Sequence, residues 1–234
     1  MAHSSPAPPT LEQARQKAAE ASGGASNEVI HSAILRDAQE FGAHGNALDF
    51  GSGGAILRQR LATCGLFKSV TAADLLQPVA NPNLRWIRAD LNHPLPLPDG
   101  SFDTVIAAEV IEHLENPRAT SREIFRLLRP GGIAILSTPN NESWRSLFSL
   151  LVRGHYVAFL DSSYPAHITA LVRKDLERIL REAGFEFLGF RYTNRGSLPG
   201  ATNHTWQQIS GRTLKGLRYS DNLLAICRRP GERT

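Results

Sequence analysis

The chain has 234 residues, of which 41% are hydrophobic and 21% charged, and its net charge is +4 at pH 7. That length suits one large domain and is too short for two sizeable enzyme domains. The composition is that of a globular protein, and no run approaches the roughly 20 apolar residues of a membrane-spanning helix. The sequence therefore predicts a single domain without a transmembrane segment.

The positive charge is concentrated near the C-terminus. Residues 201–234 contain six basic and two acidic side chains, which leaves residues 1–200 neutral. Enzymes that act on nucleic acid more often carry a basic stripe across the working face, so this distribution does not favour such a partner. The two cysteines, Cys64 and Cys227, lie far apart and are interpreted as small core residues. No apolar signal-peptide core is present, and the reducing cytoplasm is the expected location.

Residues 1–26 are predicted to be a flexible or helical extension of a domain that covers residues 27–230. Residues 1–10 are small, polar and proline-rich, which favours loose attachment. Residues 11–21 can form a helix. Asn27 has the side chain that caps a helix, and a second helix is expected to begin there.

Beyond this point, short apolar strands alternate with helical patterns. Strands are predicted at 46–50, 69–73, 84–88, 103–108 and 133–138. Helices are predicted at 55–64, 117–129 and 173–183. Two late strands follow, at 184–192 and 222–229. The alternation indicates a parallel sheet that is covered by helices on both faces.

The first predicted strand runs into a glycine turn, ALDFGSGGA (47–55). Gly51 and Gly53 allow the backbone to bend sharply and to approach a ligand closely. The N-terminus of the helix that follows favours a negative group, such as a carboxylate. A dinucleotide fingerprint would have a third glycine three residues beyond Gly53, where this chain has Ile56. The turn therefore argues against a nicotinamide cofactor.

An acidic residue stands at the end of each of the next two predicted strands. Asp74 closes the second strand, where a carboxylate can accept both hydroxyl hydrogen bonds of a ribose. Asp90 ends the third strand, where it can meet the exocyclic amine of an adenine. Carboxyl ends of parallel strands share the ligand-binding edge of a sheet. The glycine turn and the two aspartates together predict an adenosine ligand that has an amino-acid tail and no pyrophosphate.

Two longer segments resemble the core of the class I S-adenosylmethionine-dependent methyltransferases. They are LPLPDGSFDTVIAAEVIEHLENP (95–117) and REIFRLLRPGGIAILSTPN (122–140). They are most similar to the small-molecule branch, which includes ubiquinone-type O-methyltransferases and enzymes that tailor sugars or polysaccharides. The resemblance covers roughly residues 45–140, with a weaker match at 167–190. It departs from the usual GxGxG pattern at Ala55.

The resemblance implies an α/β fold with one Rossmann-like, doubly wound domain. Its seven-stranded sheet would be mostly parallel, with an antiparallel last strand. S-adenosyl-L-methionine would be the cofactor, and a small-molecule acceptor would be methylated, most simply on a hydroxyl oxygen. The residues that would line the cofactor site by this resemblance are Asp49, Gly51, Gly53, Asp74, Asp90, Leu91 and Ala108.

A hydroxyl acceptor would gain from a general base, for which histidine is the usual residue. His167 lies in the variable region after the fifth strand and is the candidate base. The spacing of Glu109, Glu112 and His113 could also gather ligands for a divalent metal. The preferred interpretation is that Glu112 and His113 orient the loop after strand four, and no metal site is assigned.

Residues at about 140–172 are predicted to form the acceptor pocket. The apolar stretch 143–160 would be a lid over it, although contact with a membrane surface or with a second subunit would also suit this stretch. Two further functions stay open: a nucleic-acid methyltransferase and a non-catalytic cofactor-binding module. Amino-base methyltransferases usually place an Asn/Asp-Pro-Pro-aromatic run after strand four to hold a flipped base. This chain has AEVIEH there, which favours a small-molecule acceptor.

Overall fold

The computed structural model describes residues 10–22, 26–76 and 85–231. In the first half of the chain the strands are β1 Gly45–Phe50, β2 Phe67–Asp74, β3 Trp86–Arg88, β4 Phe102–Ala108 and β5 Leu128–Pro139. The later strands are β6 Glu186–Tyr192, β7 Ser197–Leu198, β8 Ala201–Thr205 and β9 Asn222–Arg228. The helices are α1 Leu11–Ser22, α2 Glu28–Glu40, α3 Ile56–Thr63, α4 Pro117–Leu127, α5 Trp144–Arg153, α6 Arg173–Glu182 and α7 Trp206–Ile209.

Seven of these strands form one sheet in the order β3-β2-β1-β4-β5-β9-β6. All neighbours in the sheet are parallel except at β9, which is antiparallel to both β5 and β6. The strand order reverses between β1 and β4, and open α/β sheets bind ligands at such a switch point. The predicted doubly wound, mostly parallel sheet with an antiparallel last strand is confirmed.

The core consists of two apolar clusters, one on each face of the sheet. Side chains of a strand point alternately to opposite faces, so Leu48 and Phe50 belong to one cluster and Ala47 to the other. Helices α4 and α6 cover the first face through Ile124, Leu127, Leu176, Ile179 and Leu180. Helices α2 and α3 cover the second face through Ile30, Ala33, Ile34, Leu57 and Leu61. This arrangement holds the carboxyl ends of the central strands rigidly side by side.

Several element boundaries differ from the sequence prediction. Helix α4 ends at Leu127 rather than at residue 129, because the RPGG turn belongs to β5. In that turn Gly131 N donates to Arg229 O at 2.8 Å, and Arg229 N donates to Gly132 O at 2.9 Å. Because of this pairing with β9, strand β5 begins at Leu128 and includes the RPGG turn.

Near the N-terminus the structure describes a helix at Leu11–Ser22 and a second one at Glu28–Glu40, which begins after Asn27. The side chain of Asn27 accepts hydrogen bonds from Val29 N at 3.0 Å and Ile30 N at 3.1 Å, as a helix cap does. Apart from Thr10, the predicted loose segment 1–10 lies outside the described residues, as does residue 84 of the predicted third strand. Among the described residues, no helix combines the length and apolar character needed to cross a bilayer.

Candidate cofactor and acceptor site

A cavity of about 790 Å³ opens at the carboxyl ends of β1, β2 and β4, where the strand order reverses. Helix α1 forms part of its wall. All seven residues that the sequence suggested for the cofactor line this cavity: Asp49, Gly51, Gly53, Asp74, Asp90, Leu91 and Ala108. The candidate base His167 lies on the same wall. The seven predicted cofactor residues and the candidate base therefore line one cavity.

The glycine turn after β1 leaves no room for a side chain at its first glycine. Gly51 has φ +84°, and a Cβ atom placed there would lie 2.3 Å from Cγ2 of Val110. Ala55, which replaces the last glycine of the family pattern, has a left-handed backbone with φ 64°. Glycine adopts that conformation more easily than alanine does, so the departure costs some energy but leaves the turn intact.

The carboxylate of Asp74 braces this turn. Its Oδ2 accepts from Gly53 N at 2.8 Å, and its Oδ1 accepts from Leu76 N at 2.9 Å. Burial raises the pKa of Asp74, although the backbone hydrogen bonds act in the opposite direction. The residue therefore joins the end of β2 to the glycine turn as well as facing the cavity.

Asp49 is a buried carboxylate in the cavity wall. Its Oδ2 accepts from Ser52 Oγ at 2.6 Å, while Oδ1 has no hydrogen-bond partner among the described residues. Burial raises the pKa of Asp49 to about 7. A buried carboxylate oxygen without a donor is costly, and the ammonium of an amino-acid ligand would satisfy it. Together with the close approach that Gly51 permits, this fits S-adenosylmethionine.

Helix α1 is held over the cavity by Arg15, a contact that the sequence did not predict. One guanidinium nitrogen of Arg15 donates to Asp90 at 2.8 Å, and two others donate to Glu115 at 2.9 and 2.7 Å. Burial opposes the ionisation of Asp90, but hydrogen bonds from Asn92 and the charge of Arg15 lower its pKa below the usual value. Asp90 is therefore a charged acceptor that is already engaged by α1.

A second cavity, of about 530 Å³, adjoins the first. The two cavities share Asn27, Glu109, His167 and Asn222 in their linings. Polar and charged side chains dominate the remainder of the second lining, including Asn140, Asn141, Arg145, Ser146, Arg195 and Asp221. The molecule thus has room for two ligands that meet at one junction.

Glu109 stands at this junction, immediately after β4. It has φ 56°, a strained conformation for a residue with a side chain. Its Oε1 accepts from Ser137 Oγ at 2.8 Å, and its Oε2 accepts from Asn222 Nδ2 at 2.8 Å. Burial raises the pKa of Glu109 to about 7.

Three further polar residues converge beside Glu109. Nδ1 of His113 lies 2.8 Å from Ala166 O, and Nδ1 of His167 lies 2.5 Å from Ala158 O. The two rings meet edge to face, with centroids 4.7 Å apart. Glu112 is 0% exposed, and burial, reinforced by the nearby carboxylate of Glu109, raises its pKa well above the usual value. Burial also lowers the pKa of His113 to about 4.

The predicted apolar lid has a different orientation in the structure. In α5 the side chains of Phe148 and Leu151 are 52% and 86% exposed, so the apolar stripe faces solvent and does not cover a cavity. The buried side of the helix is formed by Ser146 and Ser149, whose small side chains allow close packing. Arg145 and Ser146 contribute to the second cavity instead. The aromatic side chains of α5 therefore do not close a cavity, whereas Val157 and Ala158 of the same predicted stretch line the second one.

The strand order and the cavity at the switch point are those of the class I methyltransferase architecture. Residues 23–188 match a sequence family described as a methyltransferase domain, and the chain belongs to that family. The match spans more than half of the chain and includes every residue of the glycine turn. The identification therefore rests on the sequence and on the fold together.

Individual relatives agree with this family. The chain is 39% identical over 112 residues to a Mycolicibacterium smegmatis protein named "Probable S-adenosylmethionine-dependent methyltransferase", over 46% of this chain and 39% of that one. It is 28% identical over 158 residues to the ubiquinone biosynthesis O-methyltransferase of Psychrobacter arcticus, over 62% of each chain. The chain thus spans less than two thirds of the length of either relative.

A solved structure shows the same fold. It is the N-methyltransferase NodS of Bradyrhizobium japonicum WM9 in complex with S-adenosyl-L-homocysteine, with a TM-score of 0.58, 18% identity, and coverage of 93% of this chain and 99% of that one. The family match confirms the predicted class, a methyltransferase domain, and the solved structure shows that the fold is shared. The acceptor is a separate question.

Proposed function

We propose that the protein methylates a hydroxyl oxygen of a small polar molecule that binds in the second cavity. The observation that carries this proposal is the junction at Glu109, His167 and Asn222, where the two cavities share a wall. S-adenosylmethionine supplies an electrophilic methyl group, so the protein has mainly to align the acceptor oxygen with it. Alignment alone can lower the barrier by roughly 7–11 kcal/mol.

In this proposal the first cavity binds the cofactor. Gly51 and Gly53 let the amino-acid tail approach the turn, with Asp49 facing its ammonium group. Asp74 accepts hydrogen bonds from the ribose, and Asp90 faces the adenine amine. Leu91 and Ala108 complete the set as apolar wall residues, each less than 9% exposed.

The lining of the second cavity supports a polar acceptor. Arg145 and Arg195 provide cationic donors, and Asp221 provides an acceptor 3.5 Å from Arg145. Such a set suits a molecule with several hydroxyl or carboxylate groups. The ubiquinone O-methyltransferases among the relatives support oxygen as the methylated atom. His167 is retained as the residue that activates the acceptor, because it lines both cavities.

Calorimetry with S-adenosylmethionine, S-adenosylhomocysteine and NAD tests the cofactor side. We expect the two sulfur-containing ligands to bind at least about 100-fold more tightly than NAD, a difference of about 2.7 kcal/mol. The glycine turn lacks the third glycine of a dinucleotide-binding fingerprint, and the carboxylates of Asp74 and Asp90 suit an adenosine ligand. Tighter binding of NAD would overturn the assignment of the cavity.

A methyl-transfer screen over sugars, phenols and quinone precursors tests the acceptor side. We expect transfer to a hydroxyl oxygen, with polyhydroxylated or carboxylated compounds preferred. Transfer confined to nucleic acid, or no transfer by a protein that binds the cofactor, would contradict the proposed acceptor. It would favour one of the two other functions that the sequence left open.

Removing the Arg15 side chain should accelerate release of the cofactor product. Arg15→Ala breaks charge-assisted hydrogen bonds to Asp90 and Glu115, and its side chain is only 14% exposed. We expect S-adenosylhomocysteine to dissociate about tenfold faster, corresponding to about 1.4 kcal/mol. Surface plasmon resonance measures the rate.

The matched control is Arg118→Ala. Arg118 forms an ion pair with Glu182 at 2.9 Å in which both side chains are more than half exposed, and it does not line the cavity. It should leave the dissociation rate unchanged, since exposed ion pairs contribute little. Equal rates for the Arg15 variant and the wild type would show that α1 does not restrain the ligand.

A further inference from the structure

The second cavity is lined by two arginines that meet at one short segment of the chain. Arg145 Nη1 lies 3.5 Å from Oδ2 of Asp221, and Asp221 N donates to Arg195 O at 2.9 Å. The next residue is Asn222, whose side chain donates to Glu109 at the junction with the cofactor cavity. The segment that links the two arginines therefore runs directly into this junction.

The positive and negative charges of this lining are unequally matched. Each lining carboxylate has a partner within the protein, and the pairs are Asp221 with Arg145, Glu28 with Arg60, and Glu109 with Ser137 and Asn222. The guanidinium of Arg195, in contrast, has no ion pair or hydrogen bond with any of the described residues. The second cavity thus offers one cation that is available to an anion from solution.

Asn141 contributes the opposite feature, an oxygen that lacks a donor. It is 2% exposed and lines the same cavity. Its Nδ2 donates to Leu171 O at 2.9 Å, and because a carbonyl only accepts, this bond identifies which end of the amide is the nitrogen. Oδ1 is left without a hydrogen-bond donor among the described residues. A buried oxygen without a donor is costly, and a hydroxyl group of a bound molecule would supply one.

Asp221 offers a second oxygen of this kind. Its Oδ2 accepts from N and Oγ of Ser197 at 3.0 Å each and lies 3.5 Å from Arg145 Nη1. Its Oδ1 has no donor among the described residues, and the side chain is 26% exposed, so a ligand can reach it. The cavity therefore combines one unpaired cation with two oxygens that need donors. This set is complementary to an anion that carries hydroxyl groups.

We propose that the methyl acceptor is a polyhydroxylated carboxylic acid, such as a sugar acid, whose carboxylate is bound by Arg195. This proposal rests on the proposed function and deepens it, because it gives the small polar acceptor one negative charge in addition to its hydroxyl groups. A guanidinium binds a carboxylate through two parallel hydrogen bonds. One unpaired cation suits a carboxylate better than a phosphate ester, which carries more than one negative charge at pH 7.

The carboxylate is bound in this reaction, and a hydroxyl group of the same molecule is methylated. The hydroxyl oxygen forms the new bond to the methyl carbon, and the methyl–sulfur bond breaks with its electron pair going to sulfur. The hydroxyl proton passes to Nε2 of His167, which keeps its own hydrogen on Nδ1 against Ala158 O. The product is a methyl ether, and the step needs no oxidant or reductant.

Calorimetry on the full chain saturated with S-adenosylhomocysteine tests the binding step. The probes are D-glucuronate, D-galacturonate and D-gluconate, each compared with its neutral counterpart, D-glucose, D-galactose or D-glucitol. We expect at least one acid to bind about tenfold more tightly than its counterpart, as for a charge-assisted pair of hydrogen bonds. Arg195→Gln should remove this difference, because glutamine has no charge. Arg153→Gln, an exposed position of α5 that lines neither cavity, should retain it.

Turnover with S-adenosylmethionine separates binding from chemistry. Arg195→Gln should raise KM for the acid about tenfold and leave kcat nearly unchanged, because the carboxylate contact is the same in the bound substrate and in the transition state. The Tm of this variant should equal that of the wild type, since Arg195 is exposed and pairs with none of the described residues. The product should withstand alkali as an ether does, whereas a methyl ester would release methanol.

Three results would overturn this inference: equal affinities within all three pairs of probes, a preference for the acid that survives in Arg195→Gln, or a methyl ester as the product. Methylation of hydroxyl groups on neutral sugars or phenols alone would refute the contact with Arg195 while the proposed function stands. Binding of an acid that depends on Arg195, together with methyl transfer confined to nitrogen or to nucleic acid, would refute the proposed function and leave the carboxylate site in place.

Discussion

Replacing Asp74 with alanine should weaken the binding of S-adenosylhomocysteine at least tenfold, without loss of the fold. The ribose hydroxyls would lose their acceptor, and Gly53 N would lose the carboxylate oxygen that lies 2.8 Å from it. Hydrogen bonds to a charged group contribute roughly 1.5–3 kcal/mol each. Because burial raises the pKa of Asp74, its ionised form adds little to folding, and Tm should change only slightly. Calorimetry and thermal melting measure the two quantities.

One further variant separates charge from shape at this position, and a second provides a control at an exposed position. Asp74→Asn keeps the size of the side chain but removes its charge and one acceptor, so it should lie between the wild type and alanine in affinity. Asp161→Asn makes the same chemical change at an exposed position and should bind normally. An unchanged affinity for Asp74→Ala would mean that the ribose is held by other groups.

Much of the fold and cofactor cavity could be predicted because the relevant signals are local. A strand that ends in a glycine turn and two strands that end in aspartate each show as short patterns. Parallel packing then brings their carboxyl ends to one edge, as the positions of Gly51, Asp74 and Asp90 show. The antiparallel last strand depended on the family resemblance, since no local pattern specifies the direction of β9.

The remaining features depend on contacts between distant parts of the chain. Arg15 reaches Asp90 and Glu115 across 75 and 100 residues, and nothing in the helical pattern of α1 singles out this arginine. His113 and His167 meet only because the loop after α5 folds back onto the turn after β4. The apolar stripe of α5 misled the prediction, because periodicity marks an apolar face but does not specify what that face contacts.

The glycine turn offers a second strong test, because two positive-φ glycines of the chain differ in their surroundings. Gly51 has φ +84°, and an added Cβ would lie 2.3 Å from Val110, which is far shorter than an ordinary van der Waals contact of 3.4–4 Å. Gly42 has φ +71°, but an added Cβ would meet nothing within 4 Å. Alanine at position 42 would therefore lose stability only through its unfavourable positive φ. Alanine at position 51 would have the same unfavourable φ and would also have to displace the turn or the buried side chain of Val110.

Gly51→Ala should therefore lower the affinity for S-adenosylhomocysteine by about 100-fold, equivalent to about 2.7 kcal/mol. Moving the turn away from Val110 shifts the amides that face the ligand, and overpacking adds a loss of folding stability of about 1–3 kcal/mol. Gly42→Ala should lose only about 1 kcal/mol of folding stability and bind the ligand normally. Calorimetry and denaturant unfolding of both variants provide the comparison. If the two substitutions had equal effects on affinity, the close approach at Gly51 would not be what shapes the cofactor site.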